Sequence, residues 1–502
     1  MSYSANAAKN VMRIWFIIWV LAAASQELLL GAEPTASDAV VRVNSTSQEY
    51  NFMRPWEKRN PSTRNGLGAV IKGKRVLVTA ELVKDSTYIE IEKADTGAKT
   101  PAKVIGLDYE VNLALLAPED GKSTFLDGMT ELELDQGVRV GDNVDVWQLE
   151  ANGIPASTSG TVIKVGIGKY FVDGSYFLNY VLRGSLQYRA GSFTLPVVKQ
   201  GKLIGMLLSY SSKELTSVII AAPIITHFLK DLEDGGYQGF PNLGISYATT
   251  LDEQFRKYLK LGSRQGGVYV RKVPKGGSAA GAGMKEGDVL LDIDGHAIDS
   301  RGDYLHPSYG KLNFSHLVRG EPEVGAVRKV KIVRDGKELT LDMKLLRKPP
   351  GDYLIDPFLY DRGPKYLILG GLIFQELTLQ YLKEWGDEWE TRAPFRLVHA
   401  HTHQSDFEDE GKQKLVILSL TVLTPATLGY EQLANLIVTK VNGKDIRSIR
   451  DFKEALAAPE GGIHRIEFDE FPRVIYVDAA LAERMNTQFT EQLGIRPLER
   501  LN

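Results

Sequence analysis

The 502-residue chain has no cysteine. Disulfide staples, cysteine nucleophiles, thiol redox chemistry and thiolate-bound zinc are therefore excluded, and stability has to come from packed cores. From residue 35 to residue 226 there is also no histidine, the first thereafter being His227. The commonest general base at neutral pH is thus missing from a stretch long enough to be a whole domain. A strong charge of either sign is lacking as well: 60 basic and 63 acidic residues leave a net charge of -3. No field gathers nucleic acid or an anionic membrane surface, and nucleic acid is not an expected partner.

The N-terminal apolar run, "IWFIIWVLAAA" (Ile14 to Ala24), is shorter than the ~20 residues a membrane span needs. Lys9 and Arg13 precede it and the small-residue stretch "LGAEP" follows. That order reads as a secretory signal peptide over residues 1–32, so the chain is expected to be exported, periplasmic or secreted; left uncleaved, the same run would anchor it.

Residues 35–236 read as many short strands, among them "AVIKGKRVLVTAELV", "TYIEIEKA", "GTVIKVGI" and "LPVVKQGKLIGMLLSY". Strand-length apolar runs punctuated by Gly and Asp turns point to barrels or a sandwich rather than to helices. "PIITHFLKDLEDGG" then reads as a closing helix, with Pro at its start and glycines at its end. From 239 to 347 strands flank the Gly-rich "VPKGGSAAGAGMKEGDVLLDIDG". Residues 348–365, opening "KPPGD", read as a linker, because proline excludes regular structure. A third unit, 366–485, repeats the strand, turn and helix order: "LIVTKVNGKDI" echoes "DVLLDIDGHAI".

Four collinear segments carry a resemblance. "VLVTAELV", "VNLALL", "AGSFTLPVVKQGKLIGM" and "APIITHFLKDLE" are similar to the segments around the histidine, the aspartate, the serine and the barrel-closing helix of the HtrA/Deg serine proteases, in particular the plant-type members with two PDZ-like units. The resemblance implies a mainly β chain, a chymotrypsin-like double β-barrel followed by two PDZ-like α+β domains. It also implies a Ser, His and Asp triad, whose positions here hold other residues. Anchoring on Thr79 and Ala80 puts the histidine at Leu82, or at Glu81 if the gap lies one residue earlier. The aspartate falls on Asn112 and the nucleophile on Phe193. Thr194 and Leu195 replace two glycines of the oxyanion turn, whose freedom at positive φ helps shape it. Phe193 reads as an aromatic packed into the former catalytic pocket. Ser192 reads as a turn serine; a dyad with Lys164, Lys169 or Arg183 would need a desolvated cation within hydrogen-bond reach.

The expected function is therefore that of an exported pseudoprotease: no catalytic residues, no metal and no cofactor, with polypeptides or partner subunits bound through PDZ units in a chaperone-like or regulatory role. A serine endopeptidase with a non-standard catalytic arrangement is the alternative. A PDZ unit adds an extended peptide to a sheet edge and holds its carboxyl terminus on a Gly-containing loop. The matching loop is Leu243, Gly244, Ile245 and Ser246, and Gly370 to Phe374 stand at the corresponding place in the third unit. By the same resemblance, Val40 to Pro61, with its aromatic stretch Tyr50 to Asn60, is a candidate trimer contact, and assembly with an active relative is a further expected partnership. In "HAHTHQSD", His399, His401 and His403 would face one way if the segment were a strand, with Asp406 as an added oxygen donor. The polar residues that follow read instead as a solvated loop.

Overall fold

The computed structural model describes residues 35–150, 154–186, 194–233, 235–492 and 494–502. The N-terminal apolar run and the position Phe193, with Ser192 beside it, lie outside them.

Six strands, Val40–Ser47 (β1), Ser62–Ile71 (β2), Arg75–Val78 (β3), Ser86–Lys93 (β4), Lys99–Asp108 (β5) and Leu113–Pro118 (β6), close into a barrel in the order β1-β2-β3-β6-β5-β4. Six more, Asn143–Leu149 (β7), Pro155–Lys169 (β8), Tyr176–Arg183 (β9), Pro196–Lys199 (β10), Lys202–Ser211 (β11) and Thr216–Ala221 (β12), close a second in the order β10-β11-β12-β9-β8-β7. Closure removes the free edges that alternating strands such as β1 would otherwise expose. A short helix, Ala80–Val83 (α1), follows β3, and Ala222–Glu233 (α2) follows the second barrel. Helix α2 buries Ala222, Ile224, Ile225 and Phe228, an apolar stripe at helical spacing that seals the barrel end.

The second unit is a sheet in the order β13-β14-β15-β19-β20, built from Ser246–Ala248 (β13), Val268–Lys272 (β14), Val289–Ile293 (β15), Val327–Arg334 (β19) and Lys337–Lys344 (β20). Strand His296–Ala297 (β16) pairs with β15, and a hairpin, Asp303–His306 (β17) with Gly310–Asn313 (β18), leads into helix His316–Arg319 (α3). The third unit has an eight-stranded sheet whose path is β27-β26-β24-β23-β22-β21-β28. Its strands are Tyr366–Leu369 (β21), Leu372–Glu376 (β22), Val416–Thr421 (β23), Leu436–Val441 (β24), Lys444–Asp445 (β25, paired with β24), Ile463–Phe468 (β26), Val474–Asp478 (β27) and Glu499–Arg500 (β28). Helices Leu379–Lys383 (α4), Trp389–Arg392 (α5), Phe395–Thr402 (α6) and Gln404–Asp409 (α7) are inserted between β22 and β23; Ile449–Ala455 (α8) and Ala479–Gln492 (α9) complete it.

Two segments tie the third unit to the barrels. Phe52 is buried among Leu354, Ile355, Leu377 and Leu382, and Trp56 packs against Tyr366, Ile373 and Phe489. Gln375 Nε2 donates to the Phe52 carbonyl at 3.1 Å, and Arg59 makes a two-pronged pair with Glu384. Within the stretch offered by the sequence as a trimer contact, Phe52 and Trp56 thus find apolar cover in the chain itself, while Arg54, Lys58, Arg59 and Asn60 are exposed. The second tie is the proline-rich connection: Leu354, Ile355 and Leu359 are buried, and Phe358 and Tyr360 pack against the first barrel. Among the described residues no helix is long and apolar enough to cross a membrane.

Candidate functional site

The barrel face that the resemblance marks as catalytic is built on α1 and on the turn between β5 and β6. Thr79, in extended conformation, precedes α1. Asn112 occupies that turn at φ 55, a left-handed conformation that Asn tolerates better than most residues. Its Oδ1 accepts from the Glu81 amide at 2.8 Å, while its buried Nδ2 has no hydrogen-bond partner among the described residues. Leu82 is fully buried in the first-barrel core with Val78, Val83, Tyr109 and Val172. It abuts Gly66, where an added Cβ would lie 2.6 Å from Thr194 Cγ2 and 3.1 Å from Leu82 Cδ2. That site admits glycine because no space is left between the barrels. Thr194 is itself fully buried, its hydroxyl without a hydrogen-bond partner among the described residues, and its carbonyl accepts from Leu67 N at 3.2 Å.

Glu81 is half-buried beside Asn112. Burial pushes its carboxyl above the ordinary range, against the pull of Lys84 and Arg64. The residue held by the Asn112 side chain is therefore Glu81, whereas Leu82 points into the core. Sequence anchoring names both residues, Leu82 first and Glu81 with the gap one residue earlier.

The connection after the second unit covers this face. Asp361 N donates to Asp85 Oδ1 at 2.7 Å and Asp85 N donates to Asp361 Oδ1 at 2.8 Å, while Tyr109 donates its hydroxyl to Asp361. Tyr360 sits 4.8 Å from Tyr109, 5.5 Å from Phe358 and 5.7 Å from Phe171 by ring centroids, with Lys84 Nζ 5.0 Å above it. An aromatic lid thus lies over the end of α1.

The loop that ends in Asn112 is also anchored to the second unit. Asp108 accepts from Tyr237 and, at 3.3 Å, from Arg347; Glu110 faces Arg319 at 3.6 Å. Burial and the neighbouring Asp108 push the Glu110 carboxyl up to about 6. The Arg319 guanidinium lies 4.2 Å over Phe177.

In the second unit, Leu243 is buried, Gly244 has φ 70, and Ser246 begins β13. The loop is fixed by Asn242 Oδ1, which accepts from Gly244 N at 2.9 Å, and by the Ser278 hydroxyl, which donates to Asn242 O at 2.5 Å and accepts from Leu346 N at 2.8 Å. Gly244 faces Gly277, whose Cα would be 3.4 Å from an added Cβ. Among the described residues strand β13 pairs with β14 alone, so its outer edge has no strand partner. Beside it lies a cavity of about 600 Å³ between β13 and α3, with Ile245, Tyr247, Phe314 and Val318 on one wall and Ile167 and Tyr176 of the second barrel on the other.

The third unit is closed at the corresponding place. Strand β22 is paired on both sides, with β21 and β23. Leu367 and Leu369 of β21 share a core with Ile449 and Phe452 of α8, filling the groove between strand and helix. Gly370 N donates to Asn486 Oδ1 at 2.8 Å, so the Gly370 to Phe374 stretch is occupied from within.

His399 and His401 lie on α6, a helix rather than a strand, and His403 ends it. His399 and His403 stack at 4.2 Å one turn apart, whereas His401 packs edge-on against Trp389. The alternate positions diverge because the helical period separates them. Among the described residues no group of three or more His, Cys, Asp or Glu is arranged to hold a metal ion.

Two PDZ domain family models match, over residues 241–345 and 355–497. The chain is 26% identical to the putative protease Do-like 3, mitochondrial, of Arabidopsis thaliana over 94% of its own length and 81% of that protein. It is 28% identical to the protease Do-like 2, chloroplastic, of the same plant, over 82% of this chain and 66% of the relative. To the periplasmic serine endoprotease DegP of Escherichia coli it is 26% identical over 56% of each. Among solved structures, the HtrA-type protease AlgW with decapeptide superposes with a TM-score of 0.47 at 19% identity, covering 62% of this chain and 97% of the other.

Proposed function

Starting from membership of the HtrA/Deg family, with two closed six-stranded barrels and two PDZ domains, we propose that this chain is an exported pseudoprotease: a barrel scaffold without hydrolytic activity whose first PDZ domain, PDZ1, binds polypeptide C-termini. The observation that supports this reading is the lack of any histidine from residue 35 to 226, together with sequence anchoring that assigns the base to Leu82 or Glu81 and its orienting carboxylate to Asn112; Asn112 and Glu81 are hydrogen-bonded and Leu82 is buried in the barrel core. A serine nucleophile needs a neutral base to take its proton and a charged partner to stabilise the resulting cation. Glu81 with Asn112 offers no imidazole, and the barrel stretch contains no histidine. The aromatic lid of Phe358 and Tyr360 further supports a barrel kept as a scaffold.

Binding falls to the PDZ1 loop, Leu243, Gly244, Ile245 and Ser246, beside the open edge of β13. With the third unit's groove filled by β21, that unit serves as a structural partner of the barrels. Regulation of an active relative by mixed assembly, or holding of unfolded chains, follows from a binding role without cleavage.

One observation favours the alternative, a serine endopeptidase with an unusual base: burial raises the Glu81 carboxyl above its ordinary value, which makes the carboxylate a stronger proton acceptor. Digestion of denatured casein, followed by mass spectrometry beside an active family member, separates the two. Intact casein is expected; cleavage that disappears in Ser192→Ala overturns the scaffold reading.

A further inference from the structure

The mouth of PDZ1 carries three lysines, and each faces an acidic side chain of α7 in the third unit. Lys348 pairs with Glu408 at 3.1 Å, Lys272 lies 3.8 Å from Asp406, and Lys275 pairs with Asp409. Between the two elements is a cavity of about 320 Å³, with Asn242, Gly244, Ser246 and Gly277 on one side and His401, Gln404 and Glu408 on the other. It shares Asn242, Ile245 and Ser246 with the cavity between β13 and α3. The neighbouring helix α6 is rooted in the third-unit core by Leu397 and Ala400, whereas α7 has no fully buried residue. Besides partly buried Phe407 and these ion pairs, α7 is tied by Gln404, whose Oε1 accepts from Ile355 N at 3.2 Å and whose Nε2 donates to His401 O at 3.2 Å, and by backbone bonds to the flanking residues.

We infer that α7 is a charge-held lid over the PDZ1 mouth, and that the partner which displaces it is a polypeptide C-terminus rich in acidic residues. This rests on the reading of PDZ1 as a peptide-binding domain. With the lid closed, an incoming carboxylate meets Glu408 inside the cavity, so entry requires exchange of the ion pairs and not simple addition. The lysines released by the lid would lack counter-charges unless the ligand supplies them, and acidic side chains upstream of its terminus do so. Exposed ion pairs are individually weak, which suits a lid that ligand binding is able to open.

The test uses the chain from residue 33 onward and a short fluorescein-labelled peptide with several acidic residues and a free C-terminal valine, alongside its amidated and serine-substituted forms. Fluorescence anisotropy is compared for the unaltered protein and for Asp406→Asn/Glu408→Gln/Asp409→Asn, in which the lid charge is gone. The triple variant is expected to bind the acidic peptide roughly three- to tenfold more tightly, with the amidated and serine forms weaker in both proteins. Lys275→Glu is a second variant: it should raise amide hydrogen exchange over residues 404–410, as the triple variant does, without the gain in affinity. Equal affinity of the unaltered protein and the triple variant, with unchanged exchange, overturns the lid while leaving PDZ1 as a peptide binder. No binding by either protein overturns the inference together with the reading beneath it.

Discussion

The Asn112 side chain accepts a hydrogen bond from the Glu81 backbone amide at 2.8 Å, joining the β5–β6 turn to α1 across the barrel face that the sequence resemblance marks as catalytic. The amide that donates is flanked by a fully buried Leu82, so this contact is part of the first-barrel core. Asn112→Ala leaves the Glu81 amide without its acceptor and should cost about 1–3 kcal/mol of stability. Urea unfolding followed by tryptophan fluorescence measures it; a loss below ~0.5 kcal/mol would mean that water replaces the amide oxygen.

Glu110 sets a pH dependence. Its carboxyl is raised from 4.5 to about 6 in the folded chain, chiefly by burial, so the folded state holds a proton that the unfolded state has already released. Its contribution to stability is fully present below about pH 4.5 and is lost as pH rises through about 6. Other groups add their own slopes, so the comparison is with Glu110→Gln. The unaltered protein should lose on the order of 1–2 kcal/mol more than the variant between those pH values. Parallel pH profiles from thermal unfolding would contradict the assignment.

Phe52 tests the internal use of the N-terminal aromatic stretch. It is buried among third-unit residues, and Phe52→Ala should remove about 3–5 kcal/mol. The change should also raise protease sensitivity near residues 353–363, where the same core is completed by Leu354 and Ile355. An unchanged melting curve and digestion pattern would show that the contact is not maintained in solution.

Gly370 has φ 61, and a Cβ there would fall 2.9 Å from the Ala482 Cα of α9. Gly370→Ala should therefore cost about 1–3 kcal/mol through strain and overpacking, with peptide binding at PDZ1 unaffected. Calorimetry of unfolding beside a peptide titration checks both halves. A binding loss as large as the stability loss would tie the two PDZ domains more closely than the separate grooves imply.

Much of the architecture was legible before any coordinates. Strand-length apolar runs such as "GTVIKVGI" and the Pro-to-Gly frame of "PIITHFLKDLEDGG" fix local structure through short-range chemistry, and they form barrel strands and the closing helix α2. The register at α1 was half legible: Glu81 and Leu82 were both candidates, and only the Asn112 contact distinguishes the held residue from the core residue. The internal use of Tyr50 to Asn60, the lid of Tyr360 and the filling of the third-unit groove by β21 were not legible. Each depends on which apolar surface lies next to which in space, and an apolar side chain in sequence carries no address. The histidine segment, read as a solvated loop, is helical, and the alternate spacing that would set His399, His401 and His403 on one face of a strand spreads them around α6 instead. Phe193 stands at the nucleophile position by sequence anchoring alone, since it lies outside the described residues.

The most direct measurement is reaction of residues 33–502 with a phosphonylating probe for activated serines, read by intact-protein mass spectrometry beside Ser192→Ala and an active family member. A barrel with Glu81, Leu82 and Asn112 at the triad face leaves the probe unreacted while the active relative is labelled. Stoichiometric labelling that vanishes in Ser192→Ala would contradict the loss of catalysis and make Glu81 the first residue to test as the base.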